Sequence, residues 1–201
     1  WVCGYADEKS DVNVLLVLRN YRPRLKGILK PLNGINAFVL VVDQRIFERD
    51  VDQGWLGEFV AEKITVPYEP LVNEEYLRYQ EVKVKKRIIR ELLENIVSEF
   101  PELSHELLID AEYFMYEAMM RRARVFPPIT YTFLNILRRD VKEKNTASMM
   151  EGYLKALSEL AEEDQITFSN GYVKITQGFI NAIKSRKLRL PILLRSVQRA
   201  A

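Results

Sequence analysis

Two polar residues, Asp11 and Asn13, stand at the start of a largely apolar run over residues 12–18. Residues i and i+2 of a strand point to the same side, so these two oxygen-bearing side chains would lie together. Such oxygens bind Mg²⁺, and a pair of these ions holds a triphosphate while activating an attacking hydroxyl. The spacing therefore indicates a metal site with Asp11 as the candidate catalytic residue. In the alternative reading, both residues only form the turn before a strand.

The stretch GYADEKSDVNVLLVL, residues 4–18, resembles the signature of the DNA polymerase β-like nucleotidyltransferase superfamily. In that family a glycine turn and a polar loop precede an acid–hydrophobic–acid pattern, and a later strand supplies a third acid. The resemblance implies Mg²⁺ as the cofactor of an active site, with Asp11, Asn13 and Asp43 as candidate metal ligands. Asn13 is an amide at the second acidic position. The run over residues 35–42 contains no acid, which leaves Asp43 as the candidate for the third.

A single carboxylate beside an amide leaves two divalent cations poorly neutralised, because the cations carry the largest local charge. We therefore expect a nucleotidyltransferase-like protein with a degenerate metal site and a binding or regulatory role. One alternative is an active Mg²⁺-dependent nucleotidyltransferase acting on nucleic acid, protein or a small molecule. Another is a winged-helix regulator that binds nucleic acid. Whether the protein is an enzyme, and whether it binds a nucleotide, stays open at this point.

Strands and helices must position these residues. The apolar patterns of the sequence predict an α/β fold followed by helices. Apolar runs over residues 12–18 and 37–42 predict buried strands, with a short helix between them that ends at Pro31 and the Asn33-Gly34 turn. Residues 60–66 predict a third strand. Residues 1–72 would form a small nucleotidyltransferase-like domain with a mixed sheet, which we expect to be incomplete at its N-terminus because the chain begins inside the motif.

Two further segments follow. Apolar residues at helical spacing predict a helical domain over residues 73–128, interrupted at Pro101. Residues 129–185 predict a winged helix. In this segment a helix covers residues 131–141, a capping box at Ser148 opens a second helix, and a third covers 177–185. The alternating run around Asn170-Gly171 is typical of a β-hairpin and would form the wing.

The charge balance gives few restrictions on partners, since 30 Lys and Arg oppose 28 Asp and Glu for a net charge of +2. One cysteine excludes an internal disulfide and favours a cytoplasmic protein. One histidine excludes most zinc sites built from His and Cys. No apolar run has the length of a membrane-spanning helix. A homo-oligomer stays open.

Residues 186–201 form a basic amphipathic tail that combines cations with apolar residues. The candidate contacts to nucleic acid or a protein partner are Lys184, Arg186, Lys187, Arg189 and Arg195. The tail alternatively packs on its own domain. By contrast, the helix before the wing carries Lys155 as its single cation and several glutamates, which would repel a duplex. A winged helix used for packing or protein contact is therefore favoured.

Overall fold

The computed structural model of the 201-residue chain describes residues 1–6, 10–32 and 34–186. These residues form a mixed α/β structure, in which a three-stranded sheet near the N-terminus is followed by helices and by a second small sheet. No helix among the described residues is long and apolar enough to cross a membrane.

The first sheet contains β1 (Val12–Leu18), β2 (Leu25–Leu32) and β3 (Ile35–Asp43). The order is β1-β3-β2, so β3 is the central strand. It runs parallel to β1 and antiparallel to β2. Its C-terminal half is buried throughout, which explains the continuous apolar run. The two strands predicted from apolar runs are thus confirmed, but the predicted burial of β1 is wrong, because its residues are half-buried or exposed.

The helix predicted between these strands is wrong, because the segment forms the edge strand β2 instead. Gly27 and Pro31 both disfavour a helix interior, whereas an edge strand accepts them. The ring of Phe38 lies over Gly27, where an added Cβ would come within 3.0 Å of it. Gly34, with a φ of 84°, lies in the turn that joins β2 to β3.

Helix α1 (Gln44–Gln53) begins directly after β3. The side chain of Asp43 caps its N-terminus by accepting from the backbone N–H of Arg45 at 3.1 Å. The helix ends at Gly54, which has the left-handed conformation with φ 59°. Its buried residues follow helical spacing: Ile46, Phe47, Asp50 and Val51.

The strand predicted over residues 60–66 is also wrong, because the chain there forms a short 3-10 helix, Ala61–Ile64. The cause is the fully buried carboxylate of Asp50. It accepts from the backbone N–H groups of Val60 and Ala61, both at 3.0 Å. It also accepts from Leu56 at 2.6 Å and from Glu58 at 3.1 Å. These N–H groups are therefore unavailable for a strand ladder.

The remaining helices are α2 (Glu74–Glu99), α3 (Ala111–Val125), α4 (Thr130–Ile136) and α5 (Lys142–Glu162), and residues 177–186 are also helical. The break near Pro101 is confirmed. The capping box at Ser148 is wrong, since this residue lies inside α5, six residues after its start. The pattern Ser-x-x-Glu lies within the helix, which begins before it at Lys142.

The second sheet contains β4 (Ile109–Asp110), β5 (Ile166–Ser169) and β6 (Tyr172–Ile175), in the order β4-β6-β5. The predicted hairpin around Asn170-Gly171 is confirmed, with both residues at positive φ. The two-residue strand β4 has no apolar alternation and was not predicted.

The chain divides into two compact units. The first comprises Trp1–Lys85 and Met119–Gly152, and its core includes Val42, Phe47 and Val51. The second comprises Lys86–Ala118 and the described residues from Tyr153 onward, with Phe114, Leu157 and Val173 in its core. Both units are discontinuous in sequence, unlike the predicted segments 1–72, 73–128, 129–185 and 186–201, which stay a prediction.

Replacing Asp50 by Ala should lower the free energy of unfolding by about 3–5 kcal/mol, because four backbone N–H groups lose their acceptor. Urea denaturation measures this loss. Asp52→Ala is the matched control: its half-exposed carboxylate pairs with Lys83 at 2.7 Å, and its removal should cost less than about 1 kcal/mol. Equal losses in the two variants would contradict the anchoring role of Asp50.

Candidate functional site

Asp11 and Asn13 both lie at the start of β1 and are exposed. Strand geometry places their side chains on one face of the sheet. The structure therefore has the predicted acid and amide on one face at the beginning of a strand. What this pair can bind depends on the residues that β3 contributes to the same face.

The parallel register brings no acid to that face. Asn13 lies opposite Phe38, and Val12 lies opposite Ala37, which puts Asp11 level with Asn36. Opposed residues of paired strands share a face. The neighbours of Asp11 and Asn13 on β3 are thus a second amide and a half-buried aromatic ring. Of the described residues at this position, Asp11 alone carries a negative charge.

Asp43 does not join this group, so the prediction that it completes the metal site is corrected. Its partner on β1 is Leu18, seven residues after Asp11, which corresponds to about 23 Å along the strand. Its carboxylate is buried and already accepts two backbone hydrogen bonds, from Tyr21 at 2.8 Å and Arg45 at 3.1 Å. Asp43 is a structural cap at the opposite end of the sheet. Within the described residues, no group of three or more His, Cys, Asp or Glu is placed to hold a metal ion.

The predicted basic contacts fall partly within the described residues. The Lys184 ammonium donates to the carbonyl of Pro101 at 3.3 Å, and the Arg186 guanidinium pairs with Glu94 at 3.3 Å. Both contacts lie inside the second unit. They favour packing of the start of the tail on its own unit. Lys187, Arg189 and Arg195 lie outside the described residues.

The cations of α2 are also used within the protein. Lys86 pairs with Glu159 of α5 at 2.8 Å and with Glu163, directly after the end of α5, at 2.7 Å, and Arg90 also pairs with Glu163. Partial burial lowers the pKa of Lys86, but the hydrogen bonds from Lys86 to these two glutamates outweigh it and raise the pKa overall. The acidic side of α5 that would repel a duplex is thus partly neutralised by α2.

The first unit contains a buried ion pair that the sequence did not reveal. The Lys85 ammonium lies 2.6 Å from Glu81 and donates to the carbonyl of Met149 at 2.7 Å. Glu81 also accepts from Tyr68 at 2.9 Å and from Arg78 at 3.1 Å. Burial lowers the pKa of Lys85, and the neighbouring carboxylate of Glu81 opposes this shift. The satisfied hydrogen bonds and the burial of both side chains indicate a structural role.

A close approach of helix α5 explains why residue 152 is glycine. A Cβ at this position would come within 2.5 Å of a Glu81 carboxylate oxygen and 2.8 Å of the Lys85 ammonium. Both atoms are fixed by hydrogen bonds in a buried environment, so they cannot move aside without cost.

Sequence reasoning missed Asn36 and Phe38 because their position follows from the parallel register, which no local pattern encodes. The Asn33-Gly34 dipeptide was the available signal, since it is typical of a hairpin and would have placed a strand before it. Comparison with known proteins adds no assignment for this site: no protein-family model, curated protein or solved structure matches the chain.

Gly152→Ala should destabilise the protein even though Ala is the better helix former by roughly 1 kcal/mol, because the new Cβ displaces the buried ion pair. Gly178 is the matched control. It is an exposed helical residue with nothing within 4 Å of an added Cβ, so Gly178→Ala should leave stability unchanged or raise it. Urea denaturation of both variants measures whether each substitution lowers or raises the free energy of unfolding. A stabilised Gly152→Ala variant would show that the ion pair does not occupy this space.

Proposed function

We propose that residues 1–72 form a nucleotidyltransferase-like domain with a degenerate metal site. In this proposal the protein has a binding or regulatory role and does not transfer nucleotides. The observation that supports this most strongly is the composition of one sheet face. Asp11 is accompanied there by Asn13, Asn36 and Phe38, none of which carries a charge. The protein would supply one negative charge toward two divalent cations, so their binding would depend mainly on the charge of the triphosphate.

The active-enzyme alternative needs a second and a third acid on this face. Asp43, the single acid that the sequence offered from the end of β3, lies at the far end of the sheet and caps α1. Amide oxygens bind Mg²⁺ without neutralising it, so Asn13 and Asn36 would not replace the missing charges. Mg²⁺ would be a cofactor in this alternative alone.

A winged helix over residues 129–185 is the second part of the proposal. The order of elements, with a helix, the short strand β4, further helices and then the β5–β6 hairpin, supports it. So does the pairing of β4 with β6 on the side away from β5. The ion pairs of α5 with α2 favour use of this domain for packing or protein contact over the reading of a duplex.

The regulator alternative, in which the winged helix binds nucleic acid, would depend on the basic tail. Arg186, the described residue of the tail, pairs with Glu94, and Lys184 just before the tail donates to the carbonyl of Pro101, so both side chains are engaged within their own unit. Nucleic acid is therefore a less favoured partner than protein.

A gain-of-site experiment tests the degenerate metal site. Wild-type protein should show no saturable binding of Mg²⁺ or Mn²⁺ by calorimetry and no labelling from radioactive nucleoside triphosphates. The variant Asn13→Asp with Asn36→Asp places two further acids on the face of Asp11 and should bind Mn²⁺. The control, Asn13→Asp with Ile35→Asp, has the same added charge, but residue 35 lies on the opposite face of β3 and should not complete a site.

Two results would contradict the proposal. Mg²⁺-dependent transfer by the wild-type protein, lost in Asp11→Asn, would show that catalysis survives with one carboxylate. Equal Mn²⁺ binding by the two triple-acid variants would show that Asp11, Asn13 and Asn36 do not share a face.

A further inference from the structure

One edge of the first sheet has no partner among the described residues. Strand β1 pairs with β3 on one side. On its other side, none of its residues hydrogen bonds to any part of the chain that the structure describes. An edge strand of this kind presents outward-pointing N–H and C=O groups that pair readily with another strand.

The two edges of this sheet differ in chemistry. Strand β2 carries exposed Lys26 and Lys30 and also Pro31, which are the residues that protect an edge against pairing. Strand β1 contains neither a charge nor a proline over seven residues. It also exposes 42% of Leu16 and 37% of Leu18. The protein therefore protects one edge and leaves the other suited to pairing.

The sequence of β1 is complementary to itself in one antiparallel register. When two copies pair with Leu15 opposite Leu15, Asp11 of each copy lies opposite Arg19 of the other, because the two numbers sum to twice 15. Two opposite-charge pairs then flank an uncharged centre. Shifting the register by two residues opposes Asp11 to Val17 or to Tyr21, so neither neighbouring register pairs the two charges.

This register also covers the exposed leucines. Leu16 lies opposite Val14 of the second copy, and Leu18 lies opposite Val12. Opposed residues in an antiparallel pair share a face, so each exposed leucine gains an apolar neighbour.

We propose that β1 is a homodimer interface, in which two copies of this chain pair edge to edge and form one six-stranded sheet. Such a dimer has two-fold symmetry, as isologous contacts require. Two short strands bury less area than a permanent interface, so the dimer dissociates on dilution and its population depends on protein concentration. The proposal does not depend on the metal site, because neither pairing nor its measurement involves a metal or a nucleotide.

Charge exchange tests the register. Analytical ultracentrifugation of the full chain across the micromolar to low millimolar range should show a monomer–dimer equilibrium. Asp11→Arg places Arg opposite Arg twice in each dimer, and Arg19→Asp places Asp opposite Asp twice. Each should weaken the dimer by about tenfold or more, since two contacts change from attraction to repulsion. The double variant with both exchanges restores opposite charges and should return to within about threefold of wild type.

Two further variants separate pairing from general effects. Arg22→Asp changes the net charge as much as Arg19→Asp but lies beyond the paired stretch from Asp11 to Arg19, so it should leave dimerisation unchanged. Leu16→Lys places a charge on the exposed edge strand and should give a monomer. Far-ultraviolet circular dichroism and urea denaturation confirm folding of each variant, which matters for Arg19 because it donates to Gln44 at 3.1 Å. A monomer at every concentration, or a dimer that the double exchange fails to restore, would overturn the proposal.

Discussion

The parallel pairing of β1 with β3 is the constraint on which the rest of the first unit depends. It runs from Val12 opposite Ala37 to Leu18 opposite Asp43, and the inferences about the metal site and the unpaired edge follow from it. At one end it gives Asp11 uncharged neighbours. At the other end it places Asp43 at the beginning of α1, where the carboxylate caps the helix and does not join the candidate metal site. By placing β3 in the centre, it also leaves the outer edge of β1 without a partner among the described residues.

Buried charged side chains determine the structure of segments that lie outside the first sheet. The Asp50 carboxylate accepts four backbone N–H groups and so determines the path of the chain from Leu56 to Ala61. The Lys85–Glu81 pair performs a similar task between α2 and α5, with Gly152 leaving room for it. Groups of this kind cost desolvation energy, which their hydrogen bonds must offset, and removing one partner leaves the other buried without its hydrogen bonds.

Local patterns in the sequence predicted the elements that depend on local chemistry. Strands β1 and β3, the helical stretches around Pro101 and the Asn170-Gly171 hairpin were all accessible from apolar spacing and turn residues. The errors arose where distant partners decide the outcome. Residues 60–66 do not form a strand because Asp50 binds the N–H groups of Val60 and Ala61, and residues 25–32 form a strand because they pair with the edge of β3.

The candidate site shows the same division. The Asp11–Asn13 pair was readable from spacing alone, because strand period fixes its geometry. Its neighbours Asn36 and Phe38 were not, since the register between β1 and β3, which β2 separates in the sequence, leaves no local signal. The predicted metal ligand Asp43 is a helix cap for the same reason. The residues next to it in the sequence do not indicate which end of β1 it lies beside.

Cross-strand nuclear Overhauser effects in isotope-labelled protein test the register most directly. The parallel arrangement predicts contacts between Val14 and Val39 and between Val17 and Val42, with none linking Asp11 or Asn13 to Asp43. An antiparallel pattern that joins the start of β1 to the end of β3, and so brings Asp43 beside Asp11, would contradict it. That result would restore a second carboxylate to the site.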